Sequence, residues 1–445
     1  MAKIGIIRNG CLEAVSLLDF FVNQIQINGH TRSTNVSDSE FIVYMTCGGT
    51  GKVLEKERKD LETILMLQKT EFPDLKLIVV GCYNRIDGMT ESFGEFVEKY
   101  FDPEKVHIIN DPNWITPTLN YIENSKRRRK VNEIYTSRTT HHPFFDVKTN
   151  NISIGLSITK GCNNACTFCK THYMDMSLTS LPFDKTKKHL EDKIRAGGRI
   201  ITLHGDNVTA YGIDEFGRPI LHELVRDLTS HEELLALDLA ELTVPDMYPE
   251  LKQEIISNPK VRRLSLQLES ASNRILKLMN RGHTIEEYTE LLNELRQNPN
   301  TYVDTIIMSG FPTETEEDII MTLDYLEEQD IFCNIVARYE NSEYLPSGNL
   351  KQLSKKDSYE HTLYAKRRLK SQIADYIFRH TKDVNEGTII ARKDNATVFD
   401  IGNAIVRGIS YKKKYQDLPL GTTTDIAGLK LVKRNAVLDN RALRI

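Results

Sequence analysis

Residues 152–170 read "ISIGLSITKGCNNACTFCK". The first eight have the composition of a β-strand. Lys160 and Gly161 follow, and then Cys162, Cys166 and Cys169 fall within eight residues, with no fourth cysteine nearby. Thiolates at this spacing hold a metal ion or an iron–sulfur cluster. Structural zinc takes four closed ligands, usually as separated pairs, and this loop supplies three. A [4Fe–4S] cluster held by three cysteines leaves one iron open to an outside ligand, which makes it a place for chemistry. Cluster binding is the reading here, with zinc as the alternative.

Outward from this loop, strands and helices alternate. After the strand ending at residue 159 come a helix at "DKTKKHLEDKIRAG", strand "RIITLHG", helix "ILHELVRDLTS", strand "LLALDLA" and helix "MYPELKQEII". Strand "RRLSLQL", helix "IEEYTELLNELR", strand "YVDTIIM", helix "TEEDIIMTLDYLEEQ" and strand "FCNIVAR" complete the series. Six βα repeats predict a partial barrel, open on one side, over residues 151–378, with active residues at the C-terminal strand ends. The three-cysteine loop lies at such an end. A long helix over roughly 354–380 leads to "GTIIARK", "ATVFDIG", "AIVRGIS" and "LKLVKR", which suggest a small β-barrel over 379–445.

Before the barrel, "KIGII", "FIVYMT" and "LKLIVVG" read as strands separated by helical patterns, a doubly wound parallel sheet ending near residue 123. Residues 124–150, with "SKRRRK", read as a basic linker. Each of these three strands is followed by a cysteine: Cys11, Cys47 and Cys82. Parallel strands carry such residues to one edge of the sheet, where ligands gather in open α/β folds. Cys333, inside an apolar strand, reads as core packing.

Composition sets the outer bounds. The 445 residues are 40% apolar and 27% charged, which suits two or three globular domains. Seven cysteines, an odd number, argue against a disulfide framework and for metal or catalytic use. No apolar run reaches membrane-spanning length, and the N-terminal residues lack the pattern of a signal peptide, so the expectation is a cytoplasmic protein with no membrane segment. Residues 380–445 carry twelve Lys or Arg against seven Asp or Glu, a balance of +5 that leaves −9 for the other 379 residues of a chain with net charge −4. A basic tail on an acidic body fits contact with a polyanion.

A CxxxCxxC loop with an aromatic, Phe168, before its last cysteine resembles the radical SAM enzymes. In that superfamily the open iron chelates S-adenosylmethionine and an electron cleaves it to a 5′-deoxyadenosyl radical. "VTAYGIDEFGRP", "LSLQLESASNRILKLMNRGHTIEEY" and "GFPTETEEDIIMTLDYLEE" resemble the radical SAM methylthiotransferases nearly end to end. The resemblance implies an α/β protein with a flavodoxin-like N-terminal domain, a partial (β/α)6 radical SAM barrel and a TRAM-like C-terminal β-barrel. It also implies two [4Fe–4S] clusters: one on Cys162, Cys166 and Cys169, and an auxiliary one on Cys11, Cys47 and Cys82. The auxiliary cluster's sulfur would be methylated and passed to a substrate radical. Phe168, Asp206 and Gln267 are the expected cofactor contacts, Asp206 accepting from the ammonium of S-adenosylmethionine.

The expected substrate is a modified adenosine in tRNA, with a protein or peptide side chain as the rival and an electron donor such as flavodoxin or ferredoxin as partner. A non-catalytic iron–sulfur RNA-binding regulator is the alternative of another class. The sequence departs from the family in four places. The run after Cys11 is unusually apolar, Asp206 stands where glutamine is usual, Thr313 replaces glycine in "GFPTET", and "RYENSEYLPSG" replaces an arginine-containing run at the substrate mouth.

Overall fold

The protein is described from a computed structural model covering residues 2–8, 21–22, 24–26, 28–46, 51–81, 103–109, 114–125, 146–148, 153–173, 177–342, 345–381, 386–393, 396–400, 406–410, 414, 417–419, 422–425 and 430–433. The chain forms two compact units: residues 1–145, 169–176 and 340–349, and residues 146–168, 177–339 and 350–445.

In the first unit β1 (Lys3–Arg8), β2 (Thr31–Ser33), β3 (Phe41–Thr46), β4 (Lys76–Gly81) and β5 (Val106–Ile108) form one parallel sheet in the order β2-β1-β3-β4-β5. This is the strand order of flavodoxin-like folds, whose winding direction reverses between β1 and β3. The central strand β3 is buried along its whole length. Its alternate residues feed two cores, as the two-residue strand period requires. Phe41, Val43 and Met45 pack with Ile4, Ile78 and Val80 on one face, under Phe21, Ile25 and the helix α2 (Ile115–Ser125). Ile42 and Tyr44 pack on the other face, under Leu61, Ile64 and Leu65 of the helix α1 (Gly51–Thr70). Helices therefore cover both faces.

In the second unit six strands run parallel and in chain order: β7 (Ser153–Lys160), β9 (Ile200–Gly205), β10 (Ala236–Leu242), β11 (Val261–Leu266), β12 (Tyr302–Ser309) and β13 (Phe332–Arg338). Two short antiparallel strands, β6 (Asp146–Lys148) and β8 (Thr179–Ser180), pair with β7. Unlike the first sheet, this one never reverses, so right-handed crossovers carry its helices to one face and leave the other as an interior. The crossover helices are α4 (Phe183–Arg195), α6 (Leu221–Thr229), α7 (Pro249–Ser257), α9 (Ile285–Leu295) and α10 (Glu316–Glu328), with short helices α5 (Ile213–Phe216) and α8 (Asn273–Met279) in the loops; the short helix α3 (Lys170–Tyr173) belongs to the first unit. Capping boxes start α9, through Thr284 and Glu287, and α10, through Thr315 and Asp318. Among the described residues β13 and β6 do not pair, so the sheet ends in two open edges.

Helix α11 (Lys355–Thr381) follows, close to its expected span. Beyond it β14 (Glu386–Lys393), β15 (Ala396–Asp400), β16 (Val406–Ser410), β17 (Thr423–Asp425) and β18 (Lys430–Lys433) form an antiparallel sheet in the order β17-β14-β15-β16-β18. The expected small barrel is seen as this sheet, with no pairing of β17 to β18 among the described residues. Cys11, Cys47 and Cys82 and most of the basic linker lie outside the described residues. No described helix is long and apolar enough to cross a membrane.

Candidate active site

The three-cysteine loop begins where β7 ends. Gly161 has φ +76°, a conformation open to glycine at little cost, and it turns the chain out of the sheet. Its N–H donates to Asp206 Oδ2 at 2.8 Å. Asp206 reaches that position because Gly205, at the end of β9, lies tight on β7. A Cβ there would sit 2.1 Å from Thr159 Oγ1 and 2.6 Å from its carbonyl oxygen. The "LHGDN" run thus has a local reason: the glycine lets two strands close, and the aspartate holds the loop between them.

Two asparagines carry the loop onward. Asn164 donates its backbone N–H to Cys162 Sγ at 3.4 Å and its side-chain amide to Asp246 Oδ2 at 2.7 Å. Asn163 donates to Asp246 Oδ1 at 3.3 Å and accepts from Asn207 Nδ2 at 2.7 Å. Asn207 and Thr243 also donate to Asp246 Oδ2, at 2.6 and 2.7 Å. A single carboxylate, in the loop after β10, therefore gathers four side chains from the loops after β7, β9 and β10.

The second half of the loop is tied to the end of α8. Thr167 donates its N–H to Met279 O at 2.9 Å and its hydroxyl to Leu278 O at 2.8 Å. Asn280 Nδ2 donates to Ala165 O at 2.8 Å. Phe168 packs edge-on to Phe311, ring centroids 6.4 Å apart, in a cluster with Ile275 and Met279. Phe311 belongs to the "GFPTET" loop after β12. In that loop Thr313 takes φ +67°, a left-handed conformation that favours glycine. Its hydroxyl and carbonyl accept from Arg274, each at 2.9 Å.

Arg281, which the sequence reading did not single out, reaches the sulfur of Cys166. It is buried; Nη1 donates to Cys166 Sγ at 3.2 Å and Nη2 to Gln267 O at 3.1 Å. Its only signal in the sequence is a position just past the helical "NRILKLM", inside a stretch already noted for its family resemblance. Gln267 sits at the end of β11, where expected. Its backbone receives Arg281, while its side-chain amide turns back to Ser265 Oγ at 3.3 Å.

The sheet interior is charged. Arg263 donates to Asp304 Oδ2 at 2.5 Å, and both are buried. Near the end of β10, Glu241 takes φ +53°, and burial pushes its carboxyl up to about 7, Arg263 pulling it down and Asp304 up. Among the described residues its buried Oε2 has no hydrogen-bond partner. Burial also raises the Glu269 carboxyl, which Arg281 pulls back. Burial and the Arg281 charge together lower His283 to about 4.

These residues fit a cluster. Cys162, Cys166 and Cys169 lie on one loop with none of them in a disulfide, and a guanidinium donating to Cys166 Sγ suits a sulfur that carries negative charge, as a ligand thiolate does. Among the described residues no three His, Cys, Asp or Glu side chains converge as ligands of a single ion. Thiolates around a cubane stand further apart than that. Cys333 is buried in β13 with its thiol donating to Ile335 O at 3.3 Å, a packing role.

Comparison with known proteins bears on the same residues. Residues 156–326 match the Radical SAM superfamily. A ribosomal protein uS12 methylthiotransferase of Carboxydothermus hydrogenoformans is 27% identical over 345 residues, covering 73% of this chain and 72% of that one. A probable threonylcarbamoyladenosine tRNA methylthiotransferase of Archaeoglobus fulgidus is 28% identical over 333 residues, 74% of each chain. The chain resembles the radical SAM methylthiotransferases over most of its length. Among solved structures, a radical S-adenosylmethionine methyltransferase from Kitasatospora setae superposes with a TM-score of 0.52 at 11% identity, covering 78% of this chain and 75% of that one. That likeness extends to the fold alone. The loop after β7 lies inside the stretch that matches the Radical SAM superfamily.

Proposed function

We propose that this protein inserts a methylthio group at an unactivated C–H bond of a modified adenosine in tRNA, using two [4Fe–4S] clusters. The observation that carries the second cluster is the order of the first sheet. Strands β1, β3 and β4 are adjacent and parallel, with Arg8 opposite Met45 and Thr46 opposite Gly81. Cys11 follows β1 by three residues, and Cys47 and Cys82 directly follow β3 and β4. The three strand ends are thus side by side at the C-terminal edge, next to the switch point where such sheets bind ligands.

When bound, the clusters and S-adenosylmethionine supply a carbon radical and an activated sulfur. The chain's own residues do the holding. Cys162, Cys166 and Cys169 would ligate the first cluster, and Cys11, Cys47 and Cys82 the second. Asp206, Phe168 and Gln267 are proposed to border the S-adenosylmethionine site, with Asp206 and Gln267 acting first by fixing the loop and its arginine. In this reading residues 1–123, 151–378 and 379–445 are separate domains, and flavodoxin or ferredoxin delivers the electron.

Transfer-RNA is favoured by the charge of residues 380–445, twelve Lys or Arg against seven Asp or Glu, because neutralised phosphates supply most non-specific nucleic-acid affinity. A protein side chain is the second reading, favoured by the similarity to a uS12 methylthiotransferase and by the unusual "RYENSEYLPSG" run. Nucleoside mass spectrometry of total tRNA from a strain lacking the gene separates them. Loss of one methylthiolated nucleoside, restored by wild type but not by Cys162→Ala, is expected. An unchanged profile would remove the tRNA reading and direct the search to methylthiolated proteins.

A further inference from the structure

We infer that Arg281 is a positioning residue that sets the reduction potential of the cluster held by Cys162, Cys166 and Cys169, through a buried charge placed on one ligand sulfur. The inference rests on the cluster assignment proposed above. Three observations carry it. First, Nη1 of Arg281 lies 3.2 Å from Cys166 Sγ, and Cys166 is itself buried. A guanidinium stays charged throughout the usable pH range, so this is a permanent positive charge at a ligand.

Second, the geometry is over-determined. The other arm of the guanidinium donates to the Gln267 carbonyl oxygen, and the Arg281 backbone N–H donates to Leu276 O at 3.1 Å. His283 Nδ1 lies 3.1 Å from the Arg281 carbonyl oxygen. The backbone bonds fix where the side chain starts, and swinging it away would break its bond to the Gln267 carbonyl oxygen. Third, the same charge acts on its buried neighbours: it pulls back the Glu269 carboxyl that burial raises, and it adds to the burial that lowers His283 to about 4. A protein of this kind could hold the loop with neutral donors, as the Asn163, Asn164 and Asn207 network already does. A buried cation on the sulfur is an electrostatic choice as well as a mechanical one.

The step concerned is a one-electron reduction. One electron enters from a reductant such as dithionite, the cluster's charge becomes more negative by one, and no bond forms or breaks. A fixed positive charge favours the reduced form. Removing it should shift the reduction equilibrium at least about tenfold toward the oxidised form, about 59 mV for one electron.

The test is an electron paramagnetic resonance titration of the full-length reconstituted protein, following the reduced-cluster signal that changes when S-adenosylmethionine is added. Wild type, Arg281→Lys, Arg281→Gln and Arg281→Met are compared, with iron and sulfide content measured for each. Arg281→Gln and Arg281→Met are expected to keep their iron and fall by that amount or more, while Arg281→Lys, which keeps the charge, stays near wild type. An unchanged potential in either neutral variant would overturn the inference. So would loss of iron from both, which would make the arginine a structural tie. If wild type itself gave no signal responsive to S-adenosylmethionine, the cluster assignment would fall instead.

Discussion

The two parallel sheets of this protein present cysteines in opposite ways. In the larger sheet, with six parallel strands, one strand end delivers three thiols from a single loop, and neighbouring strand ends contribute polar side chains that tie it down. In the flavodoxin-ordered sheet three adjacent strand ends are each followed by one cysteine. The first arrangement is local in sequence, so its spacing alone announces it. The second depends on topology, because the residues converge only if the strands are neighbours, parallel and in register. The observed order and register meet those conditions at the strand ends.

The largest test of this contrast is to separate the two sets of thiols. Replacing Cys166 by Ala should reduce 5′-deoxyadenosine formation to background, measured anaerobically with dithionite by liquid chromatography. Cys47→Ala should leave that reaction in place while abolishing the methylthiolated product. Equal loss of both reactions in the two variants would show that the strand-end cysteines serve the same centre as the loop.

Next in size is the carboxylate that gathers the loop. Asp246→Ala leaves donors of Asn163, Asn164, Asn207 and Thr243 without their acceptor, of which Asn207 and Thr243 are buried. Each orphaned buried donor costs about 1–3 kcal/mol, so a loss of roughly 3 kcal/mol in chemical denaturation is expected, along with weaker iron retention. Asp246→Asn, which keeps an acceptor oxygen, should recover part of it.

Glu241 gives a smaller, pH-dependent effect. Its folded pKa is raised by burial from the usual 4.5 to about 7, so the folded protein binds more protons than the unfolded chain between those values. Stability is therefore full below about pH 4.5 and falls as pH rises through about 7, by an amount on the order of 2 kcal/mol. Glu241→Gln should match wild type at low pH and exceed it at pH 8 in urea unfolding. His283 acts in the opposite sense: with its pKa lowered by burial to about 4, its contribution is lost as pH falls from about 6.5 through about 4. The smallest effect belongs to Thr313. Replacement by glycine relieves a positive φ of +67° but forfeits the hydroxyl that accepts from Arg274. A net gain of about 0.5 kcal/mol in thermal unfolding is expected.

Much of this was legible in the sequence, for physical reasons that also mark where legibility stopped. The six βα repeats and the three-cysteine loop are local patterns, and each appears where it was expected. Strands β2, with three residues, and β8, with two, are too short to show a period and exist only through their partners. The role of Gly205 needed the backbone of β7 beside it, and Thr313 acquired a meaning only from its φ. Arg281 and Cys166 are 115 residues apart in the chain, and nothing in the spacing of either points to the other. Asp206 and Gln267 were found as strand-end polar residues, and their observed partners are protein groups, the Gly161 N–H and the Arg281 guanidinium.

The most direct measurement of the central claim uses reconstituted full-length protein, dithionite, total tRNA and S-adenosylmethionine carrying a deuterated methyl group. Nucleosides and small products are analysed together by mass spectrometry. The account predicts 5′-deoxyadenosine together with one nucleoside that has gained a methylthio group bearing the label, both absent from Cys162→Ala. Formation of 5′-deoxyadenosine with no labelled methylthio group on either tRNA or ribosomal protein would contradict it, leaving a radical SAM enzyme of another reaction.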